Sequence, residues 1–278
     1  MSKLKYNDVT KNRFNFGKNW RNFEKSITTD RIFEAENSLK KFLEVDDLEG
    51  KSFVDIGSGS GLFSLAARNL GAQVHSFDFD EFSVETTKHL KDKFYPDDES
   101  WKVERASILD REYIQSLGNF DVVYSWGVLH HTGAMWLAIE NTLSLMKSNN
   151  SKIYLALYND QGYKSHFWWF VKYLHSKVPN LIKTPYALCL GYIFLLINIL
   201  KYTIKFRPMA AIQPLINYEK NRGMKYHYDL IDWIGGFPFE FVEFELMIEY
   251  AAVRGLILTQ SKKVLSSGCH EFVFMKKN

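Results

Sequence analysis

Phe53-Val54-Asp55-Ile56-Gly57-Ser58-Gly59-Ser60-Gly61-Leu62-Phe63 decides the fold of this chain. An apolar, β-prone run ends in an acid and then passes through three glycines, spaced two apart, into a helix-forming sequence. Glycine serves where backbone turns through positive φ or approaches a ligand with no Cβ in the way. A strand, a tight turn and a helix in this order cradle a nucleotide-like ligand at the carboxyl edge of a parallel sheet. Glycine-rich turns are common, so the motif gains its weight from the residues downstream of it, at the right distance.

An amphipathic helix is predicted from about Leu62 to Asn69, stopping at Gly71. A second strand, Gln73 to Phe77, ends in Asp78, twenty-one residues after Gly57. A doubly wound fold offers a carboxylate to a ribose at that place, and two acceptor oxygens can hold both hydroxyls. Asp80 reads as the cap of the helix near Phe82. The dinucleotide fingerprint wants glycine where Leu62 stands, and a pyrophosphate would meet Asp55 directly before the turn. A ligand carrying an ammonium and a sulfonium suits that acid better, which favours S-adenosylmethionine over NAD.

With these motifs the chain resembles the class I S-adenosylmethionine-dependent methyltransferases, over residues 50–160 and more weakly over 240–275. Residues 54–61 are similar to their glycine loop and Asp78 to their ribose acid. Ser107-Ile108-Leu109-Asp110 is similar to their adenine-edge segment, and residues 120–131 to the strand-four segment walling the methyl-donor pocket. Ser58 stands where many members carry Cys; both are small. The resemblance implies a Rossmann-like α/β fold of seven strands with an antiparallel last strand. It implies S-adenosyl-L-methionine as cofactor and S-adenosyl-L-homocysteine as product. Donor contacts then fall on Asp55, Gly57, Ser58, Gly59, Gly61, Asp78, Phe79, Ser107, Ile108, Leu109 and Trp126. The resemblance includes quinone-precursor and sugar O-methylating enzymes.

Candidate strands are Lys51–Ile56, Gln73–Phe77, Trp101–Ala106, Phe120–Ser125, Lys152–Tyr158, Leu256–Ser261 and Glu271–Met275. Alternation with helices predicts a mostly parallel sheet. The terminal hairpin around Ser266-Ser267-Gly268 can only be antiparallel. A bare nucleotide-binding domain takes about 150–200 residues, so 278 leave room for an addition. The predicted organisation is an N-terminal helical segment at 1–50 closing over the donor, a core at 51–160 and 240–278, and a helical insertion at 161–239 between strands 5 and 6. Cys189 and Cys269 form no ligand pair, and no apolar stretch follows the first charges, so a cytoplasmic protein is expected.

Between Gln161 and Tyr218 there is no Asp or Glu, while six lysines and Arg207 supply seven positive charges. The whole chain sums to +3, so the remainder sums to −4. The segment also holds Trp168, Trp169 and the apolar run Tyr186–Leu200, fifteen residues against the ~20 a spanning helix requires. A lid over the acceptor site or a homo-oligomer contact, a membrane-surface element on anionic lipid, and a basic cleft for an anionic acceptor are the competing readings. Nucleic acid is disfavoured, because the charges are interleaved with long aliphatic runs.

Methyl transfer to a hydroxyl or amine needs a base, whereas a thiol is already partly ionised at neutral pH. His130 and His131 follow strand four at the edge where the methyl should point, with His130 the candidate base and His131 a substrate contact. They are not a metal pair, because neighbours converge poorly on one ion. His227 with Asp229 or Asp232 offers a second candidate base, oriented by a carboxylate. Tyr158, Asp160 and Tyr226 are candidate substrate contacts, and Trp20 is a candidate cation–π partner for the sulfonium. The expected function is methylation of a small molecule, most readily at oxygen. A thiol acceptor and a non-catalytic docking module are the alternatives.

Overall fold

The computed structural model describes residues 27–147, 150–207, 209–216, 218 and 226–276. Helix α1 (Thr29–Leu43) leads into β1 (Ser52–Ile56), α2 (Leu62–Asn69), β2 (Gln73–Asp78), α3 (Glu81–Phe94), β3 (Trp101–Arg105), α4 (Arg111–Ser116) and β4 (Val122–Trp126). A 3-10 turn, Leu129–His131, precedes α5 (Met135–Ser144) and β5 (Lys152–Tyr158). Among the described residues α6 (Tyr163–Lys177), α7 (Asn180–Ile204), α8 (Met209–Ile216) and α9 (Tyr226–Gly235) follow. Helix α10 (Phe244–Val253), β6 (Leu256–Lys262) and β7 (Cys269–Lys276) close the chain.

The seven strands form one sheet in the order β3-β2-β1-β4-β5-β7-β6. Strands β1 to β5 are parallel, and β7 runs antiparallel between β5 and β6. The expected seven-stranded topology is what the chain adopts. Boundaries differ by a residue or two: β4 begins at Val122 because Phe120 pairs only as an isolated bridge with Met146.

Both faces of the sheet are covered, and the alternation of β1 sorts its residues between them. Val54 and Ile56 join Ile108, Ile139, Ile153 and Phe272 on one side, while Phe53 joins Leu39, Leu65, Tyr124 and Tyr154 on the other. Fully burying each large apolar side chain contributes about 1.5–3 kcal/mol, which anchors the strands whose ends build the site.

The segment after β5 departs from the core alternation. Helix α7 is 25 residues long, and its Gly191 lies against α9, where an added Cβ would sit 2.1–2.5 Å from Leu230. The helix therefore extends beyond the fifteen-residue apolar run and takes in Lys183, Pro185 and Lys201.

Candidate active site at the switch point of the sheet

Strand order reverses between β1 and β4, and open α/β sheets bind ligands in the crevice outside the carboxyl ends at such a point. Gly57, Gly59 and Gly61 have φ of 77°, 55° and 78°, the left-handed region that side chains resist. Space adds a second constraint. A Cβ on Gly57 would lie 2.5 Å from both methyls of Val128 in the loop after β4, so the two loops walling the crevice touch there. A Cβ on Gly61 would lie 3.0–3.2 Å from Thr87 of α3.

Asp78 ends β2 beside this turn. Its Oδ2 accepts from Gly59 N at 3.1 Å and its Oδ1 from Asp80 N at 2.8 Å, which fixes the carboxylate across the mouth of the turn. Asp80 caps α3 through Phe82 N at 2.9 Å. Ser58 is buried, and its Oγ pairs with Thr87 Oγ1 at 2.9 Å, so this side chain braces the turn against α3. Phe79 and Trp126 are exposed at the same edge. In the loop after β3, Leu109 N donates to Ser107 Oγ at 3.2 Å, and Asn141 Nδ2 donates to the Ile108 carbonyl at 2.8 Å. Thr87 and Asn141 carry no sequence signal, because nothing local marks a residue that braces a loop from another helix.

Asp55 occupies the layer between β1 and α2. Its Oδ2 accepts from Ser64 Oγ at 2.5 Å, Ser64 Oγ accepts from Ser76 Oγ at 2.7 Å, and Ser76 Oγ accepts from Trp101 Nε1 at 2.9 Å. Burial pushes its pKa up to about 7, with nearby Asp78 adding to the rise. The native state thus holds a proton that the unfolded chain releases, so stability falls as pH rises from about 4 to about 7. Asp55→Asn keeps an acceptor for Ser64 and removes the ionisation. It is expected to gain on the order of 3 kcal/mol over the parent at pH 8 and little at pH 4. Denaturant melts at the two pH values check this, and equal gains at both would reject the assignment.

Across the crevice stand the two histidines. His130 is fully buried, and its Nδ1 accepts from Tyr158 N at 3.2 Å. An imidazole that accepts at Nδ1 carries its hydrogen on Nε2. Nε2 has no hydrogen-bond partner among the described residues. Burial, with His131 and Lys172 nearby, holds its pKa well below the usual value. His130 is thus a neutral imidazole with Nδ1 engaged and Nε2–H available to donate, whereas the base expected from the sequence would need a free ring lone pair. His131 Nδ1 donates to the Pro238 carbonyl at 2.6 Å and pins the returning loop. Tyr158 lies over His130 with ring centroids 3.9 Å apart.

That loop, residues 236–242, closes this side. Glu240 N donates to the His130 carbonyl and Val242 N to the Tyr158 carbonyl, each at 2.9 Å. Glu240 accepts from Met135 N at 3.1 Å and tops α5. Above it sits Lys172 of α6, fully buried, its Nζ 4.5 Å from the Trp233 ring centre and 5.0 Å from that of Phe239. Nζ has no hydrogen-bond partner among the described residues, and burial pulls its pKa down to about 7. Neither Glu240 nor Lys172 is marked by any motif in the sequence.

The remaining candidates are on α9 and in the turn before α6. Tyr226 packs edge-on against Tyr192 and Tyr218, and Tyr218 donates to Asp229, which sets this end of α9 among the insertion helices. His227 and Asp232 ride on the same helix, and Trp233 is the α9 side chain that meets Lys172. Asp160 Oδ1 accepts from Gly162 N at 2.7 Å in the turn before α6 and lines a separate polar cleft with Lys164, Glu243 and Lys263. Trp20 falls outside the described residues.

Residues 54–151 match the family model described as a methyltransferase domain. Among curated proteins, the chain is 47% identical over 51 residues to the ribosomal protein L11 methyltransferase of Fusobacterium nucleatum subsp. nucleatum, covering 18% of this chain and 16% of that one. The chain thus spans under a fifth of the length of that relative. Among solved structures, PKMT2 of Rickettsia typhi with bound AdoHcy aligns at 14% identity and TM-score 0.56, over 88% of this chain and 54% of that one. Magnesium protoporphyrin IX methyltransferase of Synechocystis PCC 6803, with bound SAH, aligns at 12% identity and TM-score 0.51, over 88% and 83%. These likenesses extend to the fold.

Proposed function

We propose that this chain, whose residues 54–151 match a methyltransferase-domain family model, transfers a methyl group from S-adenosylmethionine to a hydroxyl of a small molecule. The observation that carries this reading is the convergence of three left-handed glycines and the Asp78 carboxylate at the switch point of the sheet.

S-adenosylmethionine supplies an activated methyl on a sulfonium. The protein's work is to hold the acceptor in line with it, a proximity effect worth several kcal/mol. The glycine turn lets backbone approach the donor, and each Asp78 oxygen, already fixed by one backbone N–H, is of a type that accepts more than one hydrogen bond. A hydroxyl acceptor must lose its proton. Lys172, held near neutrality, has the lone pair to take it, and His130 Nε2–H donates to the same oxygen or to a neighbouring acceptor group. Trp233, Phe239 and Tyr158 supply apolar walls that suit a planar or aliphatic acceptor body.

Calorimetric titration with S-adenosylmethionine tests the first half. The parent should bind, and Asp78→Ala should bind about ten- to a hundredfold more weakly, as loss of charge-assisted hydrogen bonds at ~1.5–3 kcal/mol implies. No heat from the parent would reject the reading. Turnover against a panel of phenols, aliphatic alcohols, thiols and amines tests the second half, and a preference for thiols would displace the hydroxyl assignment.

A further inference from the structure

The helices after β5 are built inside out. On α6 the buried face carries Ser165, Lys172, His175 and Ser176, with Val171 the one aliphatic residue among them, while Tyr163, Phe167, Phe170 and Leu174 form the exposed stripe at helical spacing. On α7, Ala187 and Gly191 face inward against α9, and Ile193, Leu196, Ile197, Leu200 and Ile204 line the opposite side in the open. Only 11% of the most apolar eighteen-residue window of α7 is buried. Phe206, just beyond it, is 94% exposed. Contiguous apolar surface of this extent marks an interaction site rather than ordinary solvent-facing protein.

Charge selects the partner. Residues 161–218 contain seven basic side chains and no acid, and Lys164, Lys177, Lys201, Lys205 and Arg207 are exposed around the apolar stripes. An apolar face edged by cations complements an anionic lipid surface, with rings and aliphatics below the headgroups and lysines among them. We propose that α6 and α7 dock this protein on an anionic bilayer, lying in the interface. Helix α7 is long and apolar enough to span by length and composition, but a spanning arrangement is disfavoured because the helix keeps one flank, at Gly191, against α9. Because α6 holds Lys172 on its inner face, the bilayer would lie about one helix diameter, ~10 Å, from the acceptor site. Docking does not depend on the methyl-transfer reading.

Flotation with vesicles tests it. The full chain should float with vesicles of phosphatidylcholine and phosphatidylglycerol at low salt and remain behind with phosphatidylcholine alone. High salt or alkaline carbonate should release it. Near an anionic surface each basic residue counts about fivefold in affinity. The triple variant Lys201→Glu, Lys205→Glu, Arg207→Glu should therefore bind at least a hundredfold more weakly. Leu196→Glu should also weaken binding, and the thermal melts of both variants should match the parent's, showing that the fold is kept. Three results would overturn the proposal: equal flotation with neutral vesicles, retention after carbonate, or a stable dimer by light scattering that ignores vesicles.

Discussion

Gly57→Val is expected to abolish donor binding and to destabilise the fold by about 2–5 kcal/mol. Two costs add. At φ of 77° an L-residue loses about 1–2 kcal/mol, and a β-branched one fares worse. The new Cβ would also lie 2.5 Å from the Val128 methyls, and overpacking of that kind costs about 1–3 kcal/mol. Either the loop after β4 moves away or the glycine turn does, and both wall the crevice. Gly118→Ala is the control, since φ is 76° there with nothing within 4 Å of the added carbon, so only the conformational part should remain. Adding Val128→Ala to Gly57→Val should recover part of the stability, a coupling that a double-mutant cycle measures. Calorimetric titration and denaturant melts read the two effects separately. Wild-type donor affinity in Gly57→Val would detach the glycine turn from the site.

The parts of the molecule legible in the sequence are those set by local chemistry. The glycine turn, Asp78 at the end of β2 and the strand–helix alternation each rest on short-range rules, and the seven-stranded sheet follows from them. The histidines after β4 were legible as polar groups at the right edge, but their protonation pattern was not. The partner that sets it, Tyr158 N, is 28 residues away on another strand. Lys172 was invisible for a stronger reason. Apolar periodicity assigns Phe167, Phe170 and Leu174 to the core, and on α6 those are the exposed residues. A helix that turns its polar face inward defeats a rule that assumes water outside. The loop at 236–242 has no short-range rule behind it. Its bonds to His130, His131 and Tyr158 link residues some hundred positions apart.

Lys172→Met is expected to stabilise the protein at neutral pH while sharply reducing turnover. With a native pKa near 7 against an ordinary 10.5, the folded state binds fewer protons than the unfolded state between those values. Stability therefore rises with pH from about 7 to about 10.5, and below pH 7 the full penalty for the buried amine stands. Methionine fills a similar volume without a charge. The variant should gain on the order of 4 kcal/mol at pH 7, and the gain should vanish near pH 10.5. The groups facing Nζ are His130 from the turn after β4, His175 on its own helix, Trp233 of α9 and Phe239 of the returning loop. None is a carboxylate that would hold the ammonium instead. Donor affinity in the variant should match the parent's, and turnover on the best hydroxyl acceptor should fall by two to four orders of magnitude, the usual range for general-base catalysis. Wild-type turnover together with the stability gain would leave Lys172 a structural oddity and move proton removal to another group. A gain that persists unchanged at pH 10.5 would show that the amine is not held near neutrality.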